Sequence, residues 1–291
     1  MKNILCTVLV ATVAALGFIE KAQAELETIL FNDNFDIENN STGQLDYNYF
    51  TNFTVSNGTV DLKGNGFSDY YPGNGLYVDL EGTTGQGGLL LSRKTFSLIP
   101  GKYKLYFVLA GNPQSNMPDT VNIRLGNVYN QILSVPYNYN VKFQTLQQTI
   151  NVSSTTTGKL SFQNPNGGDT YGPIVDKVKL TKVITGYDGA WKGAVTRNDN
   201  GQRYPVLVSI VGGESNSVVG TTVYPTKNCG GKLTLLNGDT ATVNLRENIS
   251  YGNANCTSGQ ITLQYVNAGA INYKWVTLGV TATGTLNKVV N

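Results

Sequence analysis

The stretch from Gly75 to Asn112, GLYVDLEGTTGQGGLLLSRKTFSLIPGKYKLYFVLAGN, constrains the fold more than any other part of the chain. Tyr103, Leu105, Phe107 and Leu109 alternate with Lys102, Lys104, Tyr106 and Val108, so one set is wholly apolar and the other mixed. Period two puts alternate side chains on opposite faces of an extended strand, and a face that apolar needs a second layer to cover it. Residues 88–98 read as a preceding strand, joined to this one through Pro100-Gly101. Proline presets φ at the second turn position and glycine accepts positive φ at the third, which predicts a hairpin there. Further strands are predicted over 27–31, 52–56, 58–63, 76–81, 119–125, 127–134, 142–151, 157–163 and 174–183, with a second hairpin about Asn57-Gly58. Only 14% of residues are charged, Gly, Asn, Thr and Tyr abound, and no window beyond residue 24 carries an apolar 3.6-residue stripe. The fold class expected is all-β, opening with a jelly-roll β-sandwich.

Residues 1–24 have the form of a secretory signal. Lys2 supplies the positive charge, Ile4–Ile19 is apolar, and Ala22-Gln23-Ala24 is a small-x-small cleavage site. The apolar run, about 16 residues, is shorter than the roughly 20 that span a bilayer. The expected location is secreted, periplasmic or cell-surface, with no membrane span after cleavage. Cys6 leaves with the signal, and in an oxidising compartment Cys229 and Cys256 are expected to form a disulfide. On the chain-entropy picture that bridge contributes roughly 3.6 kcal/mol. Two thiols in a chain without histidine make a poor zinc site. A formal charge of +2 and the absence of any basic run argue against nucleic acid as a partner.

The segment 184–190, ITGYDGA, carries two glycines and no alternation, and a new strand pattern begins at Trp191. A sandwich over 25–184 and a second domain over 185–291 follow. In the second, WKGAVTR, RYPVLVSIVGG, VVGTTVYP, NCGGKLTLL, TVNLRENIS, GQITLQYV and INYKWVTL are alternating segments between Gly, Asn and Asp turns. A meander of about eight such strands is enough to close a small antiparallel β-barrel, which removes exposed edges.

The run YVDLEG…GGLLLSRKTFSLIPGKYKLYFVLAGN, followed by DTVNIRLG, GKLSF and IVDKVKL, resembles extracellular bacterial sandwich domains of cyanobacterial type. These are similar to the galactose-binding-like jelly rolls found among carbohydrate-binding modules. The resemblance covers about residues 27–183 and implies a structural calcium shared by the first and last strand regions, here Asn34-Phe35-Asp36 and Val175-Asp176. Asp33, Asn34, Asp36 and Asp176 offer the hard oxygens calcium takes, provided those strands pair. The alternative is that Asp33 and Asp36 cap a turn while Asp176 accepts loop N–H groups. The second domain resembles a small cysteine-pinned bacterial domain through Trp191, Gly193, Tyr224-Pro225, Cys229-Gly230-Gly231, Leu233, Glu247, Cys256 and Trp275. That resemblance implies fold and compartment, not activity.

Sugar recognition uses flat rings for stacking and amides or carboxylates for hydroxyls. Candidate aromatic clusters are Tyr47, Tyr49 and Phe50; Tyr70 and Tyr71 beside Asp69; and Tyr137 and Tyr139 beside Asn138 and Asn140. Each also reads as sandwich packing, since tyrosine is a preferred strand and core residue with a polar tip that finds a partner. In VNLREN, Glu247 shares the apolar face of Val243 and Leu245, so it must be paired or shifted in pKa, either as a ligand group or held by Trp191, Tyr224 or Trp275. Without histidine, Ser-His-Asp and Cys-His machinery are absent. Asp79 and Glu81 share a strand face and suit the spacing of a glycosidase pair, yet they read as a solvated strand edge or an ion site. The reading expected is a secreted non-catalytic protein for a cell-surface or extracellular glycan. A structural or adhesive protein contacting other cell-envelope components is second, and a glycoside-active enzyme third.

Overall fold

A computed structural model describes residues 25–115, 118–136 and 142–290. The predicted signal over 1–24 lies outside the described residues. Among the described residues, thirteen strands build the first unit: β1 (Leu26–Asp33), β2 (Phe53–Ser56), β3 (Asp61–Gly64), β4 (Leu76–Asp79), β5 (Leu89–Ser92), β6 (Phe96–Leu98), β7 (Gly101–Ala110), β8 (Asp119–Leu125), β9 (Tyr129–Val135), β10 (Gln144–Val152), β11 (Thr156–Gly158), β12 (Leu160–Gln163) and β13 (Ile174–Ile184). The second unit holds β14 (Gly189–Arg197), β15 (Arg203–Ile210), β16 (Gly213–Glu214), β17 (Val218–Tyr224), β18 (Cys229–Gly238), β19 (Thr242–Tyr251), β20 (Gly259–Asn267), β21 (Ala270–Thr277) and β22 (Val280–Lys288).

One layer of the sandwich runs β10-β7-β13-β1, with β4 on β13 and β3 on β4; the facing layer runs β2-β5-β12-β8-β9. The first and last strands pair antiparallel, from Leu26 against Ile184 to Asp33 against Val178. Between the layers lies one apolar core. Phe31 meets Phe53 and Phe96 edge-on at 5.4 and 5.8 Å, and Phe107 meets Phe162 across the layers at 5.7 Å. Edge-to-face rings stabilise such a core beyond their buried area. The alternation in β7 is realised: Tyr103, Leu105, Phe107 and Leu109 are buried, while Lys102, Lys104 and Tyr106 are half-buried.

Both expected hairpins of the sandwich are corrected. Across Asn57-Gly58 the chain changes layers, because β2 pairs β5 and β3 pairs β4. A Cβ at Gly58 would stand 2.2 Å from the Gln86 carbonyl, so this glycine serves close approach of two loops. Across Pro100-Gly101 the strand predicted over 88–98 divides into β5, in the facing layer, and β6, which pairs only with β11; β7 lies between β10 and β13. In both places burial of each strand's apolar face, and not the turn chemistry, selects the partner strand.

The second unit is a closed antiparallel barrel in the order β14-β15-β17-β18-β19-β20-β21-β22, with β22 returning to β14. Its core holds Trp191, Val206, Leu233, Leu245, Ile261 and Leu286. The short β16 leaves the barrel wall and pairs parallel with β1. Cys229 and Cys256 form a disulfide, their Cα atoms 6.2 Å apart.

Candidate functional site

Two polar constructions stand out, one in the sandwich loops and one inside the barrel. The first joins the loops after β3, β7 and β12. Tyr70 Oη donates to Gln114 Oε1 at 2.6 Å, and Tyr71 Oη donates to the Gly111 carbonyl at 2.6 Å. Asn112 Nδ2 donates to Asp79 Oδ2 at 2.8 Å. Ser115 Oγ donates to Asp169 Oδ2 at 3.3 Å. Glu81 fastens the third loop: its Oε1 accepts the N–H groups of Gly168, Asp169 and Thr170 at 2.7–3.2 Å, and its Oε2 accepts Asn164 Nδ2 at 3.0 Å.

Asp79 and Glu81 are therefore buried (0% and 1% exposed), which corrects the expected solvated strand edge. Lys63, also buried, reaches Asp79 Oδ2 at 2.7 Å and lies 5.1 Å above the Tyr70 ring. Burial pushes the Asp79 carboxyl up to about 7 against the opposing pull of Lys63. Beside this network Asp119 is buried, and its Oδ2 has no hydrogen-bond partner among the described residues. Burial, then the neighbouring charges of Asp169 and Glu81, carry Asp119 up to about 7.

Half-buried Tyr70 and Tyr71 pack on the small cluster of Tyr77, Ala110 and Ile174, with the Tyr71 ring 4.6 Å from Phe143. Of the other tyrosine candidates, Tyr49 is 76% exposed, but Tyr47 is buried edge-on against Phe50 at 4.7 Å. The expectation of a displayed ring at Tyr47 is corrected, since the loop folds it inward where its hydroxyl donates to Glu38 Oε2 at 3.3 Å. Tyr137 and Tyr139 lie outside the described residues. Asn112, Gln114 and Asp119 were not singled out from sequence. The polar run GNPQS was the available signal for the first two.

The four residues named for calcium fall where β1 ends and β13 begins. Asp33 Oδ1 accepts the Phe35 N–H at 2.9 Å and its Oδ2 accepts Asn52 Nδ2 at 3.0 Å. Asp36 Oδ1 accepts the Leu76 N–H at 2.9 Å, while its Oδ2 accepts Asn34 Nδ2 at 2.5 Å. Asp176 sits at a bulge, where Lys177 has φ of 51° and the β13–β7 register shifts. Its Oδ1 accepts the Lys177 N–H at 2.7 Å, whereas Oδ2 is buried without a hydrogen-bond partner among the described residues and lies 3.7 Å from Lys177 Nζ. Burial drives Asp176 up to about 7. Among the described residues, no group of three or more His, Cys, Asp or Glu side chains is gathered closely enough to hold a metal ion.

Inside the barrel Glu247, on β19, is 1% exposed. Its Oε1 accepts hydrogen bonds from Thr222 Oγ1 and from Tyr224 Oη at 2.8 Å, and its Oε2 accepts Trp275 Nε1 at 2.9 Å. The Tyr224 and Tyr273 hydroxyls are 2.9 Å apart, extending the chain of polar groups. Burial raises the Glu247 pKa in spite of the three donors. Tyr224 and Trp275 are thus partners, as two of the three sequence candidates; Trp191 instead donates to the Tyr187 carbonyl at 2.9 Å. Thr222 and Tyr273 were not foreseen, because strand register decides which side chains share the barrel interior. A cleft of about 220 Å³ opens over this network, lined in part by Arg197, Tyr204, Lys227, Glu247 and Trp275.

No protein-family model matches this chain, and no curated protein matches it. Solved structures similar to it include the C-terminal CBM6 of LamC, a marine laminarinase from Zobellia galactanivorans. That match has 16% identity, covers 48% of this chain and 98% of the other, and has a TM-score of 0.31. CBM35 from Cellvibrio japonicus Abf62 is similar at 13% identity, over 48% of this chain and 92% of the other, with a TM-score of 0.31. A family 35 carbohydrate-binding module from Clostridium thermocellum is similar at 14% identity, over 48% and 97%, with a TM-score of 0.27.

Proposed function

We propose that this chain is a secreted, non-catalytic binding protein for a cell-surface or extracellular glycan, and that the loop rim of the sandwich takes the sugar. The observation that carries the reading is the assembly of half-buried Tyr70 and Tyr71 with exposed Gln114, on loops anchored from beneath by buried Asn112. Rings supply stacking surface, and the exposed Gln114 amide matches hydroxyls. Glu81 and the Asp79–Lys63 pair hold the loops in place beforehand, which lowers the ordering cost of binding. The disulfide supports an oxidising compartment, and among the described residues no helix is long and apolar enough to cross a membrane.

A structural calcium ion beside Asp176 belongs to the same proposal. Its support is one buried carboxylate oxygen without a hydrogen-bond partner; Asp33, Asn34 and Asp36 are already engaged by protein groups. The test is a glycan-array screen of the full secreted chain with calcium and with chelator, repeated with Tyr70→Ala. Binding that is lost in the variant supports the rim. Silence of the parent protein in both conditions refutes it and favours an adhesive role toward envelope proteins. A melting temperature unmoved by calcium and chelator removes the ion from the proposal.

A further inference from the structure

The cleft at the barrel mouth has a composition that selects one kind of ligand. Its floor is a carboxylate that accepts hydrogen bonds: Glu247 Oε1 has two donors, but Oε2 has only Trp275 Nε1. Glu247 is 1% exposed yet lines the cleft, and a carboxylate oxygen accommodates a further donor, so a ligand hydroxyl would satisfy it. The walls are rings. Tyr204 and Tyr224 stand edge-on at 5.9 Å, and Trp275 lines the opening.

The rim carries two cations of different standing. Arg197 is held by Asp199 through Nε and Nη2 at 2.9 and 2.6 Å. Lys227 lies 4.6 Å above the Tyr204 ring and donates to Gln202 Oε1 at 3.2 Å. Among the described residues it has no carboxylate at ion-pair distance. Asp199 balances the Arg197 charge, so Lys227 is the rim charge that disfavours a cationic group and favours an anionic one at the mouth. A donor-seeking floor, aromatic walls and one uncompensated cation at the mouth together describe a ligand with hydroxyls, a flat face and a carboxylate. The volume, about 220 Å³, is below the several hundred Å³ of drug-sized pockets and suits one sugar ring.

We propose that the barrel mouth is a second binding site, for a hexuronate residue. The hydroxyls of the sugar bond Glu247 Oε2, its ring lies against Trp275, and its carboxylate pairs with Lys227. This site is separate from the sandwich rim and stands whether or not that rim binds sugar.

The chain has two tryptophans, one of them fully buried Trp191, so the Trp275 indole N–H gives an isolated signal in a ¹⁵N–¹H spectrum. Sodium D-galacturonate and D-glucuronate would be titrated into the full secreted chain, with D-galactose, D-glucose and sodium acetate as comparators. The expected result is a saturable shift of the Trp275 signal with a uronate, weakened about fivefold in Lys227→Gln, as for an exposed ion pair, and unchanged in Tyr70→Ala. Lys227 is a surface residue, and an unmoved Trp191 signal reports that the variant is folded. Equal response to neutral hexoses and uronates, an unaltered affinity in Lys227→Gln, or no saturable shift with either uronate overturns the proposal.

Discussion

Asp119→Asn is expected to stabilise the protein at alkaline pH and to leave it nearly unchanged in acid. The Asp119 carboxyl is 9% exposed, its Oδ2 has no hydrogen-bond partner, and burial with Asp169 and Glu81 nearby carries it from 3.8 to about 7. Between about pH 4 and about pH 7 the folded chain therefore keeps a proton that the unfolded chain releases. The folded state binds more protons in that window, so stability falls as pH rises through it and levels off above. Full ionisation costs roughly 4 kcal/mol at about 1.36 kcal/mol per tenfold change in proton affinity. Water entering the loops and local relaxation reduce the measurable share to about 2 kcal/mol. Asparagine keeps the shape, does not ionise, and offers N–H groups to the surrounding carboxylates. Urea unfolding of parent and variant at pH 4.5 and pH 8.5 checks this, since the other raised carboxyls, Asp33, Asp61, Asp79, Asp176 and Glu247, titrate in both proteins and cancel in the difference. The stability gap between the two proteins should widen by about 2 kcal/mol on going to pH 8.5. A gap of the same size at both pH values would refute the assignment of a buried, unsatisfied carboxylate.

Glu81→Ala strands the three loop N–H groups and the Asn164 amide that its carboxylate accepts, and should cost about 3 kcal/mol and speed proteolysis within 164–173; Glu81→Gln, which keeps an acceptor oxygen, should recover part of both. Replacing Cys229 and Cys256 together by alanine should lower unfolding free energy by about 2–4 kcal/mol, read by denaturant titration under non-reducing conditions. At Gly75, φ is 81° and a Cβ would lie 1.9 Å from Asp36 Oδ1. Gly75→Ala should therefore cost about 2 kcal/mol by urea titration, through backbone strain and displacement of the Asp36–Leu76 bond.

The barrel was legible because each of its strands pairs mainly with sequence neighbours. In VNLREN the inward positions Val243, Leu245 and Glu247 can be read from alternation, and Glu247 announces itself by breaking the apolar series. In the sandwich the strands could be located but not paired. Asn57-Gly58 and Pro100-Gly101 carry hairpin chemistry, yet neither joins two strands that pair with each other, because turn chemistry does not name the partner strand. The rim was less legible still. Tyr47 and Tyr49 differ by two positions and look alike in sequence, but one is 5% and the other 76% exposed. Asp119 looks like any strand-opening acid until β8 and the neighbouring loops enclose it.

The pairing of β1 with β16 has a consequence for how the protein must be made and cut. Leu26 and Ile184 belong to the sandwich's strands but are buried in the apolar cluster of the barrel. Leu26 and Glu27 pair with Gly213 and Glu214, Thr28 Oγ1 donates to the Gly238 carbonyl at 2.9 Å, and Lys179 bonds Glu214. Severing the chain at residue 185 would leave each half with a raw hydrophobic seam and an unpaired strand edge, the ordinary template for self-association. The two halves are therefore welded by elements that each lends to the other. They should melt in one cooperative transition, and expression of either alone should yield aggregates.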